Sequence, residues 1–222
     1  MSYARMRPSF LALGLMTILG AAPAAVAQEA QQPQAQQQPA PQAPAVPPVR
    51  VRGKIDSITD DSITIIKKNG EKQVVQTTPK LVVNALVKAN KSDIKPGVFI
   101  GTTAHPNKDG KLEAIEVHIF PDSMRGAGEG HYPWDTAPED TMTNASVTDV
   151  VSAVHGETMS LKYKGGENQV TVVPTTSIVA VTPGSRDDLK KGAAIFSIAA
   201  PQPDGSLKTG FVLVGRGVSP PM

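Results

Sequence analysis

The chain has 222 residues, with 22 basic and 20 acidic side chains, 4 histidines, 20 prolines, 19 glycines and no cysteine. The missing cysteine excludes a disulfide framework, a thiolate metal site and a lipoprotein attachment point. A formal charge of +2, with no run of four or more Lys or Arg, argues against a nucleic-acid partner, because phosphate recognition draws most of its affinity from clustered basic side chains.

Residues 1–27 read as a secretory signal peptide: Arg5 and Arg7, an apolar run from Phe10 to Leu19, then Ala25-Val26-Ala27 ahead of Gln28. The apolar run falls short of the roughly 20 residues that cross a bilayer, and no second run of that length follows. The mature chain is therefore expected to have no membrane span and to be periplasmic or secreted. Cleavage removes two arginines and no acid, which leaves 20 charges of each sign. Residues 28–48 are almost wholly Gln, Pro and Ala and hold too little apolar side chain to offset the entropy of ordering. They read as a disordered tether.

A first β module is expected over residues 49–120. Val51 to Ile58 and Ile63 to Ile65 alternate as two strands about Asp60-Asp61. Asn69-Gly70 predicts a type I′ hairpin into Lys72 to Thr77. After Pro79 a short strand, Leu81 to Val83, leads to a loop. Ser92 is the expected cap of a single turn ending at Lys95, ahead of Pro96. Val98 to His105 and Lys111 to Phe120 form a last hairpin across Asn107 to Gly110. A second module over residues 142–217 repeats the plan, with Gly165-Gly166 at the turn and Pro174 as the counterpart of Pro79; residues 218–222 form a tail.

The two modules share a written pattern. Asp93-Ile94-Lys95-Pro96-Gly97 returns at an offset of 95 as Asp188-Leu189-Lys190-Lys191-Gly192, and Pro106, Asp109-Gly110 and Leu112 return as Pro201, Asp204-Gly205 and Leu207. At the same offset Glu116 and His118, which face away from the side carrying Ile115, Val117 and Ile119, become Phe211 and Leu213. A strand apolar on both faces is usually covered on both, so Phe211 and Leu213 are expected to be buried against the first module or the connector.

Val51-Arg52-Gly53-Lys54-Ile55, Asp93 to Gly97, Asp109 to Leu112 and Ala114 to Val117, with their second-module counterparts, resemble a bacterial family of exported OB-like β-barrel domains of unknown function, present here as a tandem copy. In the second module Ala145-Ser146-Val147 stands where the first has its opening Gly53. Chains that look like this one as a whole are sometimes labelled metal-transporter permeases. The resemblance covers both modules but not the tether or connector and implies an all-β fold of two small OB-like barrels, between which the sequence places an irregular aromatic connector; barrels of this type commonly bind oligomers on one face.

The connector, residues 121–141, breaks the pattern and holds the only tryptophan. Trp134 and Tyr132 are expected to plug the groove between the barrels, the indole N–H finding a carbonyl. The alternative is that Arg125, His131, Tyr132 and Trp134 line a ligand site at the junction. Imidazole and carboxylate in His118, Asp122, Glu129, His131 and Asp135 suit zinc, copper or nickel, with His118, His131 and Asp135 as the candidate ligands, although no two histidines sit at an H-x-H or H-x3-H spacing. His105 and His155 fall at strand ends. No Gly-x-Ser-x-Gly elbow or phosphate-cradling loop occurs, and Asp60-Asp61 and Asp187-Asp188 read as turn and cap residues. The sequence thus predicts a non-enzymatic binding or scaffold protein of the bacterial cell envelope, without cofactor. Its partner would be an envelope protein or a small ligand. The alternative function is a soluble periplasmic metal-binding protein.

Overall fold

A computed structural model describes residues 46–153 and 156–220. The signal peptide read over residues 1–27, most of the tether and His155 lie outside them. The described residues form eleven strands: β1 (Val49–Ile58), β2 (Ser62–Ile66), β3 (Lys72–Lys88), β4 (Phe99–Pro106), β5 (Leu112–Ile119), β6 (Gly130–Pro133), β7 (Thr141–Ala153), β8 (Gly156–Tyr163), β9 (Gly166–Pro183), β10 (Ala194–Pro201) and β11 (Leu207–Gly215). Three single 3-10 turns complete the secondary structure. No helix among the described residues is long and apolar enough to cross a membrane.

The strands close into two five-membered rings. One runs β1–β2–β3–β11–β10 and back to β1; the other runs β7–β8–β9–β5–β4 and back to β7. In each ring, in the order just given, the third and fourth strands pair in parallel (β3 with β11, β9 with β5) and every other pairing is antiparallel, the order of an OB-like Greek-key barrel. The all-β, barrel-forming reading therefore holds. Neither ring, however, is built from one half of the chain. The hairpin β4–β5 leaves the first half to complete the second barrel, and β10–β11 returns to complete the first. The boundaries at 120 and 142 separate halves of the sequence, not barrels.

The physical cause lies in β3 and β9. Pro79 and Pro174 were expected to end their strands, yet β3 runs for 17 residues and β9 for 18, straight through both prolines. Pro79 lies past the last β2 pair at Gln76 and in the break of the β3–β11 ladder between Thr77↔Thr209 and Val82↔Phe211, so its missing N–H interrupts no ladder. Leu81 to Lys88 then contain no Gly or Pro to turn the chain back. Each residue advances roughly 3.3 Å, so the end of the strand delivers the following hairpin to the other barrel. The two long strands meet at this crossing, antiparallel, from Asn84↔Pro183 to Lys88↔Val179.

The docking of the hairpins is reciprocal. Gly192 N–H donates to Ile55 O (2.7 Å) and Ile55 N–H to Ala193 O (2.9 Å); Gly97 N–H donates to Val147 O (2.8 Å) and Val147 N–H to Val98 O (2.9 Å). Both docking points sit at a bulge, between Ile55 and Ser57 in β1 and between Val147 and Asp149 in β7, so the second half bulges without the glycine that opens the first. Gly53 itself is fixed by crowding, since a Cβ there would stand 2.4 Å from Ile66 O. Leu189, from the second half, packs with Val51, Ile63 and Val214 in one core, and Ile94, from the first half, packs with Ile100, Val147 and Met159 in the other.

The offset of 95 marks equivalent turns. The carboxylates of Asp93 and Asp188 accept from the N–H groups of Asn90 (2.9 Å) and Ser185 (2.8 Å), so Asn90, rather than Ser92, caps the first of these turns. Gly97 and Gly192 follow with φ of 87° and 85°, a left-handed conformation that only glycine adopts without strain. Asn69-Gly70 departs from the expected type I′ turn: only Gly70 has positive φ, and its N–H bonds Lys67 O in a type I turn closed by a left-handed glycine. The Asn69 side chain accepts from Glu71 N–H (3.0 Å), which holds Asn69 in the right-handed region.

Candidate functional site

At the crossing, a third cluster forms outside both barrel interiors. Leu86, Val179, Val181, Phe196 and Leu213 are buried there, with Phe120, Met124, Trp134, Phe211 and Val218 packed against them. Leu213 is buried and Phe211 partly so, as the doubly apolar strand required. The connector covers this cluster. Its strand β6 adds to the edge of β7, pairing Tyr132 with Met142 and Gly130 with Asn144. Alternation along β6 then turns Tyr132 inward and His131 outward.

Between connector and barrels lies a cavity of about 380 Å³. Its walls are Trp134, Tyr132 and Met124 from the connector, Phe120 and His118 from the first half, and Phe196 and Phe211 from the returned hairpin. The rings touch in a chain, Tyr132 to Trp134 at 6.2 Å and Trp134 to Phe196 at 6.1 Å between centroids. Such tilted contacts orient the rings beyond what area burial alone would do. The volume lies within the range of small-molecule sites, and the lining is mainly apolar with a few polar groups.

One of those groups is cationic. The Arg50 guanidinium stacks 4.1 Å above the Trp134 ring, and that of Arg52 lies 5.3 Å from it and 5.2 Å from Phe196. Arg52 donates to both carboxylate oxygens of Asp135, at 2.9 and 2.7 Å, and this pairing holds the Asp135 carboxyl below the usual carboxylate range. Arg50 approaches the same carboxylate only to 3.6 Å. Burial raises the Tyr132 hydroxyl above its ordinary value, against the opposing pull of Arg50. Asn144 donates to Tyr132 Oη and to Gly128 O, both at 3.1 Å, and its Oδ1 is buried without a hydrogen-bond partner among the described residues.

His118 supplies the other unusual wall. Glu116 and His118 do point away from the barrel interior, but they are not solvated: both are more than nine-tenths buried, on the face of β5 turned to the crossing. The ring Nε2 contacts Glu116 Oε1, and the ring lies edge-on to Phe120. His118 is thereby a buried polar side chain in a mainly apolar cavity wall.

Of the four residues proposed from sequence for a junction site, Tyr132 and Trp134 line the cavity. The Trp134 N–H finds no carbonyl among the described residues; the indole is held by its faces instead. Arg125 anchors the connector, donating to Gly97 O at 3.0 Å and Asp122 Oδ1 at 2.7 Å. His131 lies on the outer side, against Thr143 Oγ1 at 2.9 Å and stacked on Tyr163, and partial burial lowers its pKa. The candidate metal ligands His118, His131 and Asp135 are thus held by three different partners: Glu116, Thr143 and Arg52. Among the described residues no group of three or more His, Asp or Glu could hold a metal ion. Arg50, Phe196 and Asn144 escaped the sequence reading. The alternation of Arg50 and Arg52 with the buried Val51 was the one available signal for the arginines, since it places them on a common face.

No family model, curated protein or solved structure matches the chain.

Proposed function

We propose that this chain is an exported, non-enzymatic binding protein that takes an apolar group of a small ligand into the cavity at the barrel crossing. The observation that carries the reading is the aromatic lining of a cavity of about 380 Å³, assembled from the connector and both halves of the chain. A connector serving only to span two halves has no need of its Trp and Tyr, and β6 places Tyr132 on the cavity while Trp134, just past its end, donates its backbone N–H to Asp140 O and lines the same cavity. Export rests on the sequence of residues 1–27, and a place in the cell envelope on the tether that follows.

Trp134 is the only tryptophan, so its emission reports on the site directly. The neutral dye N-phenyl-1-naphthylamine is expected to brighten on binding and to quench Trp134 with saturation at one equivalent. Ile198→Glu sets a charge at the half-exposed rim of the cavity, where it can be solvated without unfolding the strand. It is expected to weaken the dye about tenfold or more, as a desolvated charge would. A folded protein that leaves the dye dark, or an Ile198→Glu variant that binds it equally well, refutes the proposal.

A further inference from the structure

Building on that reading, we infer that the ligand is an aromatic monoanion, with its rings in the cavity and its carboxylate or sulfonate on Arg50. The inference starts from a charge imbalance at the mouth. Two guanidinium groups face one carboxylate, and the geometry divides that carboxylate unequally. Asp135 gives both oxygens to Arg52, while Arg50 comes no nearer than 3.6 Å and has a side chain still about one-third exposed. Arg50 is therefore left with the face of Trp134 as its closest companion, at 4.1 Å. Stacking uses the face of a guanidinium and leaves its in-plane N–H groups pointing outward, and that edge matches a carboxylate or sulfonate in bidentate fashion.

The rest of the cavity selects the body of the molecule. Trp134, Phe120, Phe196 and Phe211 offer ring faces and edges, which favour an aromatic over a flexible chain. Among the described residues no carboxylate lies on the cavity wall, since Glu116 is bonded to His118 and Asp135 is bound by Arg52. An anion entering beside Arg50 thus meets a net positive mouth. A cationic ligand would meet Arg50 without a free counter-charge.

The test compares two probes that share one ring system, 2-naphthoate and 2-naphthalenemethanol, by titration calorimetry on the full mature protein. Naphthoate is expected to bind about tenfold more tightly than the alcohol, and its advantage should shrink as salt is raised. Arg50→Gln is expected to bind naphthoate and the alcohol equally, so that the roughly tenfold ratio between the two probes is lost within the variant, whose folding is checked by its circular dichroism. Arg50→Lys, which keeps the charge but not the fork, should fall between. If both probes bind wild type equally, or naphthoate keeps its advantage in Arg50→Gln, the inference is overturned and the binding proposal survives. If neither probe binds, the binding proposal itself fails and the inference with it.

Discussion

His118→Leu strands a carboxylate. Glu116 and His118 are 6% and 5% exposed, and among the described residues the one polar side chain bonded to Glu116 is His118. Removing one member of a buried ion pair costs about 3–5 kcal/mol, because the survivor keeps its desolvation penalty and loses its compensation. Replacing both members with apolar side chains of similar size is often neutral or stabilising by about 1–4 kcal/mol. The chain carries such a pair already, at Phe211 and Leu213 on β11. Equilibrium urea unfolding of wild type, Glu116→Leu, His118→Leu and the double variant closes a cycle whose coupling term isolates the pair. His118→Leu should lower the midpoint by about 1 M or more for a slope of about 3 kcal/mol/M, and the double variant should recover most of the loss. A single variant within about 1 kcal/mol of wild type, or a double variant that merely sums the singles, would show that the two groups are not coupled through burial.

Two further outcomes follow from the fold. A fragment of residues 46–140 should be unfolded alone by circular dichroism, and so should residues 141–222, because each lacks the hairpin that closes its barrel; mixed, the two should regain the native spectrum. A fragment that folds by itself would contradict the exchange. Asp188 accepts from Arg216 Nε and Nη2, both at 2.7 Å, and from Ser185 N–H, which lowers its pKa from 3.8 to about 2. A depressed carboxylate pKa adds stability above the unfolded value and loses it as pH falls toward the folded one. Asp188→Asn should therefore flatten the decline in unfolding midpoint between pH 4 and pH 2; an unchanged slope would rule this pair out as its source.

The strands and turns were legible because their determinants are local. Gly97, Gly110, Gly192 and Gly205 all take the left-handed conformation that their turn positions demand, and Asp93 and Asp188 both close a turn by accepting a backbone N–H. The exchange was not legible, because the hairpins after Gly97 and Gly192 carry nearly the same pattern and local sequence does not say which barrel each completes. That choice belongs to β3 and β9, whose prolines suggest breaks where the backbone runs on through an irregular stretch of its parallel ladder. The site was half legible for the same reason. Trp134 and Tyr132 stood out by composition, but Phe196 and Phe211 reach the cavity only because their hairpin is returned to the first barrel. His118 and His131 looked like co-ligands from their closeness in the chain, and sheet geometry sets them on different strands facing different ways.

Joining the two exchanged hairpins within one polypeptide makes barrel closure a unimolecular event. Two separate half-length chains trading the same hairpins would form a dimer that falls apart on dilution, with a melting point set by protein concentration. Here each partner hairpin is held at a high effective concentration by the chain itself. The fold, and the aromatic cavity that depends on both crossings, is thereby independent of how scarce the protein becomes.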